Sequence, residues 1–127
     1  MSTPGIAPKH ILVVDDEPIV CDAVKMMLEF DGHHIETAHG AEQALALFEK
    51  SDFDVVITDY SMPGMKGNEL AARCKTLKPG QPVVMITAYA EMLAAEQIPL
   101  DAVDHLISKP FLLEDLRAAI AKVTAAR

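Results

Sequence analysis

The sequence predicts an α/β domain, a five-stranded parallel sheet wrapped by helices on both sides. Three observations predict it. Short apolar runs recur at Ile11-Leu12-Val13-Val14, Val55-Val56-Ile57 and Val83-Val84-Met85-Ile86, continuous rather than alternating, as strands covered on both faces are. Segments with apolar residues at helical spacing lie between them. Strand and helix patterns alternate five times with short links, which is the order of a parallel sheet with helical crossovers.

In chain order, the strand at Ile11 to Val14 ends abruptly in Asp15-Asp16-Glu17-Pro18. Pro18 suits the first turn of a helix, where its missing N–H costs nothing. Val20, Ala23, Val24, Met27 and Leu28 then recur at helical spacing, and Asp31-Gly32 supplies the stop. His34 to Ala38 is a weaker, alternating strand, as expected of a sheet edge. Ala41, Ala44, Leu45 and Phe48 mark one face of a second helix. The central strand, Asp54-Val55-Val56-Ile57-Thr58-Asp59, opens into a loop that Pro63, Gly64 and Gly67 keep from turning helical at once. Asn68 is the expected cap of a third helix, with Leu70, Cys74 and Leu77 inward and Lys78-Pro79-Gly80 at its end. Val83 to Thr87 gives the fourth strand. The fourth helix, Glu91 to Gln97, is cut short by Pro99. Val103 to Ile107 gives the fifth strand, ending at Ser108-Lys109-Pro110. Leu113, Leu116, Ile120 and Val123 form the stripe of a closing helix, with Glu114 and Asp115 early and Lys122 and Arg127 late, as the macrodipole prefers.

A chain of 127 residues is the usual size of one domain. Residues 1–8 read as an N-terminal tail and 9–127 as the domain, without repeats or linkers. The net charge of −8 argues against direct nucleic-acid contact or an anionic membrane, since both need clustered Lys and Arg. No apolar run approaches the roughly 20 residues of a membrane span, and the start lacks the apolar core of a signal peptide. A cytoplasmic setting is expected. Cys21 and Cys74 are too few for a disulfide framework and fall on apolar helical stripes, so they read as buried free thiols. The histidines show no zinc-ligand spacing, and His33-His34 beside Gly32 reads as a solvated turn.

Four strand ends carry the chemistry: Asp15 and Asp16 after the first, Asp59 after the third, Thr87 after the fourth and Lys109 after the fifth. In a parallel sheet these lie along one edge, where open α/β sheets bind ligands. Carboxylates gathered there without a cation would repel, and at least one would be driven toward its protonated form. A hard cation resolves the conflict, and oxygen-only ligands suit Mg²⁺. Given the metal, one carboxylate can act as nucleophile toward a phosphoryl group, with Lys109 and the Thr87 hydroxyl on the equatorial oxygens. Asp59 is the expected acceptor, because it comes from the central strand. An Asp-Asp pair alone would read as helix capping, and Lys109 or Thr87 alone as a surface lysine or a strand-end cap; the joint placement favours chemistry.

This constellation resembles the receiver domain of two-component response regulators, over almost the whole chain from His10 to Val123. The matching pieces are Val13-Val14-Asp15-Asp16-Glu17, Asp59 with Met62-Pro63 and Gly67, Ile86-Thr87-Ala88, and Lys109-Pro110-Phe111. Each is weak alone; together, in this order and spacing, they are highly specific. The resemblance implies a flavodoxin-like fold of strand order 2-1-3-4-5, with Mg²⁺ held by Asp16, Asp59 and the Ser61 carbonyl, Asp15 assisting. It implies that Asp59 takes a phosphoryl group from a phosphohistidine on a sensor histidine kinase or histidine phosphotransfer protein. A downstream protein target or effector domain would then read the change. It further implies a cis Lys109–Pro110 bond.

Three positions depart from the family pattern. Leu106 stands where many members carry an aromatic ring that reports phosphorylation. Lys66 stands where an acidic or small polar residue is common, and Pro99 shortens the fourth helix. Tyr89 is a candidate shield or substitute reporter, with an exposed loop aromatic as the bland alternative. A phosphohydrolase of the haloacid-dehalogenase kind would carry Asp-x-Asp after the first strand and a cap domain. A flavin-binding electron carrier would have a Ser/Thr/Gly phosphate loop where acids stand here. A pseudo-receiver that is never phosphorylated fits Leu106 but not the full set of acids, Thr and Lys.

Overall fold

The computed structural model describes residues 7–125. The element order is β1(His10–Val14), α1(Pro18–Phe30), β2(His34–Ala38), α2(Ala41–Lys50), β3(Val55–Asp59), α3(Gly67–Leu77), β4(Val83–Thr87), α4(Ala90–Ala95), β5(His105–Ser108) and α5(Leu113–Thr124). All strands are parallel, in the order β2-β1-β3-β4-β5. This is the flavodoxin-like doubly wound sheet expected of the sequence. The N-terminal tail expected at residues 1–8, like Arg127, lies mostly or wholly outside the described residues.

Strand alternation splits the core into two layers. Ile11, Val13, Ile57, Val84 and Ile86 point toward α1 and α5, where Cys21, Val24, Leu28, Leu116 and Ile120 meet them. Leu12, Val14 and Val56 point the other way, toward Ala44 and Phe48 of α2 and Leu70 and Cys74 of α3. β1, β3 and β4 are therefore apolar on both faces, which is why their runs are unbroken. Cys21 and Cys74 are buried and free, and burial pushes both thiols up to about 11. Neither is a reactive thiolate at neutral pH.

Long-range contacts shift several local expectations. Lys66, not Asn68, is the N-cap of α3; its N–H donates to Glu69 Oε1 at 3.1 Å, while the Asn68 amide donates to the Pro99 carbonyl at 3.0 Å. Leu77, expected inward, is the last residue of α3 and is 44% exposed. His33 is buried rather than solvated; its Nδ1 accepts the Lys9 N–H at 2.9 Å, and burial lowers its pKa. β5 begins at His105 rather than Val103. Asp104 closes the strand start instead, donating its N–H to the Val83 carbonyl at 2.8 Å while Oδ2 accepts the Val83 N–H at 2.8 Å. The fourth helix is short as expected but runs Ala90–Ala95, and Gln97 leaves it with φ of 54°. The end of α1 is tied to α5 by Asp31, which accepts two hydrogen bonds of 2.7 Å from Arg117.

Candidate functional site

Strand register decides which side chains meet. Val14 lies beside Thr58, Asp59 beside Ile86, and Thr87 beside Ser108. Residues that leave the sheet just after these positions share its C-terminal edge. Backbone bonds extend that register into the loops: Asp15 N–H to the Ala38 carbonyl at 3.1 Å, Tyr60 N–H to Ile86 at 3.0 Å and Lys109 N–H to Thr87 at 2.9 Å. Behind Asp15, the Cys21 thiol donates to its carbonyl at 3.3 Å.

The geometry centres on one cation among acids. Lys109 Nζ stands 2.8 Å from Asp59 Oδ1 and 3.9 Å from Asp15 Oδ2. Both carboxylates are buried, with Asp15 only 3% and Asp59 6% exposed. Burial raises the Asp15 carboxyl from its ordinary 3.8 to about 6. The Glu17 N–H, which donates to its Oδ1 at 2.9 Å, and Lys109 pull it back, while Asp59 and Asp16 push it further up. Burial works against the Lys109 ammonium, but the hydrogen bond and charge of Asp59, then Asp15 and Glu17, leave its pKa raised. The lysine is therefore a fixed positive charge at neutral pH.

Asp16, Glu17, Asp59, Ser61, Ala88, Tyr89 and Lys109 line an open cavity of about 380 Å³. Asp15 and Thr87 are buried and are not among its lining residues. The Thr87 Oγ accepts the Tyr89 N–H at 2.9 Å, which leaves its hydroxyl proton to be donated elsewhere. Asp15, Asp16 and Glu17 carry carboxylate oxygens that lie within 4.8 Å of one another. This cluster fits a hard divalent cation, because its donors are all oxygen. The sequence reading gave no role to Glu17 or Ala88. The signal for Glu17 was present in the acidic run, but its position as α1 N-cap, beside the cavity, depends on how the loop turns.

Two backbone features mark the ends of β3 and β5. Gly67 packs so closely on the end of β3 that a Cβ there would overlap the Asp59 carbonyl, and its N–H donates to Tyr60 at 3.0 Å. The Lys109–Pro110 bond is cis, as the resemblance implied. Of the departures, Lys66 directs its ammonium to the Met62 carbonyl at 3.1 Å and does not line the cavity. Leu106 sits half-buried in β5 opposite Met85, and Tyr89 is 52% exposed at the cavity wall.

Residues 11–121 match the model of the response regulator receiver domain. The transcriptional regulatory protein TrcR of Mycobacterium tuberculosis is 32% identical over 114 residues, 90% of this chain and 44% of TrcR. The chain thus spans less than half the length of this curated relative. Among solved structures, a CheY-like receiver domain protein from Methanospirillum hungatei is 35% identical, with a TM-score of 0.85 over 94% of this chain and 96% of that one. The response regulator TrrA of Thermotoga maritima, solved in complex with Mg²⁺-BeF, is 34% identical, with a TM-score of 0.82 over 91% of this chain and 98% of TrrA. Sequence, strand order and edge chemistry agree: this chain is a receiver domain of the two-component response regulator family.

Proposed function

We propose that Asp59 is the phosphoacceptor of a two-component or phosphorelay pathway and that Asp15, Asp16, Asp59 and the Ser61 carbonyl hold Mg²⁺. The observation that carries this reading is the Lys109 ammonium, 2.8 Å from Asp59 and 3.9 Å from Asp15, at a cavity also lined by Asp16 and Ser61. An acidic pocket with one lysine has room for a further cation and then for an anion. Magnesium, when bound, supplies positive charge to the phosphoryl oxygens. The Mg²⁺-BeF complex of TrrA supports the same reading here by kinship.

One oxygen of the Asp59 carboxylate attacks phosphorus in line with the leaving nitrogen of a phosphohistidine. The O–P bond forms as the P–N bond breaks, and the imidazole departs with the electron pair as a neutral ring, its other nitrogen already protonated. Lys109 exchanges its bond to Asp59 for one to a phosphoryl oxygen, and the Thr87 hydroxyl donates to another. Water later attacks the phosphorus of the acyl phosphate; the new O–P bond to water forms as the Asp59 O–P bond breaks, which releases inorganic phosphate and restores the free carboxylate. The chain thereby promotes its own phosphorylation and dephosphorylation without turning over a separate substrate. A sensor histidine kinase or histidine phosphotransfer protein supplies the group, and a protein target or effector domain reads it.

Incubation with acetyl phosphate and Mg²⁺, followed by intact mass, tests the acceptor. One added phosphoryl group is expected in the parent and none in Asp59→Ala. A phosphorylated Asp59→Ala chain would overturn the assignment.

A further inference from the structure

Strand pairing brings together a second set of metal-ligating side chains, at the opposite edge of the sheet from Asp59. His10 opens β1 and His34 opens β2, and the two are direct register partners. Glu36 follows two residues after His34 and so projects from the same face. The ligand atoms of His10, His34 and Glu36 all lie within 4.8 Å of one another. We propose that these three side chains form a binding site for a divalent cation of the zinc type.

The donor chemistry separates this site from the acidic edge. Two imidazoles and one carboxylate suit Zn²⁺, which takes three protein ligands and keeps a fourth position for water. Magnesium prefers oxygen throughout. The His10 ring is also prepared in the way ligating histidines are. Its Nδ1 lies 2.8 Å from the Asp52 carbonyl, an outer partner that places the N–H there and leaves Nε2 to ligate. Its ring packs at 4.4 Å on Phe53, and its backbone N–H is held by Asp54 at 2.8 Å. Nε2 then faces Glu36 Oε2 at 2.6 Å. A cation seated between Nε2 and Oε2 would be ligated by both. Ligands of a tetrahedral zinc stand roughly 3.3 Å apart, so the half-exposed Glu36 has to move outward from Nε2 as the ion enters. His34 is exposed, giving the ion a path from solvent.

As a plain ion pair, His10–Glu36 would contribute little at this exposure and would not explain the third donor. The test uses the untagged chain, stripped of metal and then saturated with Mg²⁺ to occupy the acidic edge. Competition for Zn²⁺ against a chromophoric chelator is expected to show one zinc per chain. His34→Ala and Glu36→Gln, both changes at exposed or half-exposed positions that leave the core intact, are expected to weaken uptake by about tenfold or more, whereas His39→Ala and His105→Ala leave it unchanged. Titration of the parent should shift the imidazole NMR signals of His10 and His34 together. Failure of the parent to bind stoichiometric zinc, or uptake that survives His34→Ala and Glu36→Gln, would overturn the site. Uptake lost in Asp16→Ala instead would place the ion at the acidic edge and overturn it equally.

Discussion

Asp15 is the residue at which burial and charge conflict most. Its carboxyl titrates at about 6 in the fold, against an ordinary 3.8. Between those values the folded chain holds this proton more tightly than the unfolded one, so stability falls as pH rises through the window. Above it, the metal-free protein carries a buried, crowded carboxylate. We expect Asp15→Asn, assayed with chelator, to be more stable than the parent by on the order of 2 kcal/mol at about pH 7.5, the gain shrinking toward about pH 4. Addition of Mg²⁺ should stabilise the parent and the mutant much less. Urea unfolding across pH measures this, and equal stability of the two chains at every pH would refute it. His33 runs the other way, since burial lowers its pKa; its contribution is present above the ordinary 6.5 and lost as pH falls through the depressed folded value. Both chains share it, so their difference isolates Asp15. Gly67 is the second decisive residue. Because a Cβ would meet the Asp59 carbonyl, and backbone cannot move aside cheaply, Gly67→Ala should cost about 1–3 kcal/mol. It should also slow acetyl phosphate labelling of Asp59, which a time course by intact mass would reveal; labelling at the parental rate would show that the acceptor had not moved.

Elements were legible wherever one segment's own pattern decided its fate. The unbroken runs of β1, β3 and β4 and the edge alternation of β2 follow from which faces they bury, and Pro18 marks the start of α1. Legibility failed where a partner far along the chain set the outcome. His33 is buried because Lys9 reaches back to it, β5 starts late because Asp104 bonds to β4, and Asn68 is drawn to Pro99 rather than to its own helix. The site behaved similarly. Asp59, Lys109 and Thr87 could be placed from strand ends alone, but the presence of Glu17 at the cavity rests on a loop turn that no spacing reveals. α1 has one further property, visible only in the fold. Ile19, Met26 and Phe30 are 83%, 70% and 67% exposed, and Ile19 shares an apolar groove with Lys109 and Phe111. An exposed apolar stripe whose Ile19 end adjoins Lys109 suits a docking helix of the proposed phosphodonor. Ile19→Asp should therefore slow transfer from a phosphohistidine protein by about tenfold, as the loss of one apolar anchor does, and leave acetyl phosphate labelling unchanged. Equal loss with both donors would place the defect in the chemistry instead of the docking.

At the scale of the whole molecule the question is how far one phosphoryl group can drive the fold. The proposed new bonds are few: Lys109 exchanges one ionic partner for another, and Thr87, already held by Tyr89 at 2.9 Å, gains one. A hydrogen bond to a charged group contributes about 1.5–3 kcal/mol, whereas turning a 1:99 population into 99:1 takes about 5.5 kcal/mol. The lysine exchange nets less than a new bond, since the contact with Asp59 is given up. Leu106, half-buried in β5, has no hydroxyl or ring edge with which to add a polar contact in the second state. Phosphorylation alone should therefore leave both states populated, with a bound target completing the shift by its preference for one of them. NMR of the chain saturated with Mg²⁺ and beryllium fluoride should show signals of α4, β5 and α5 at positions between two limits, moving to one limit when target is added. Complete conversion before any target is present would mean that the fold stores more switching energy than these contacts contain.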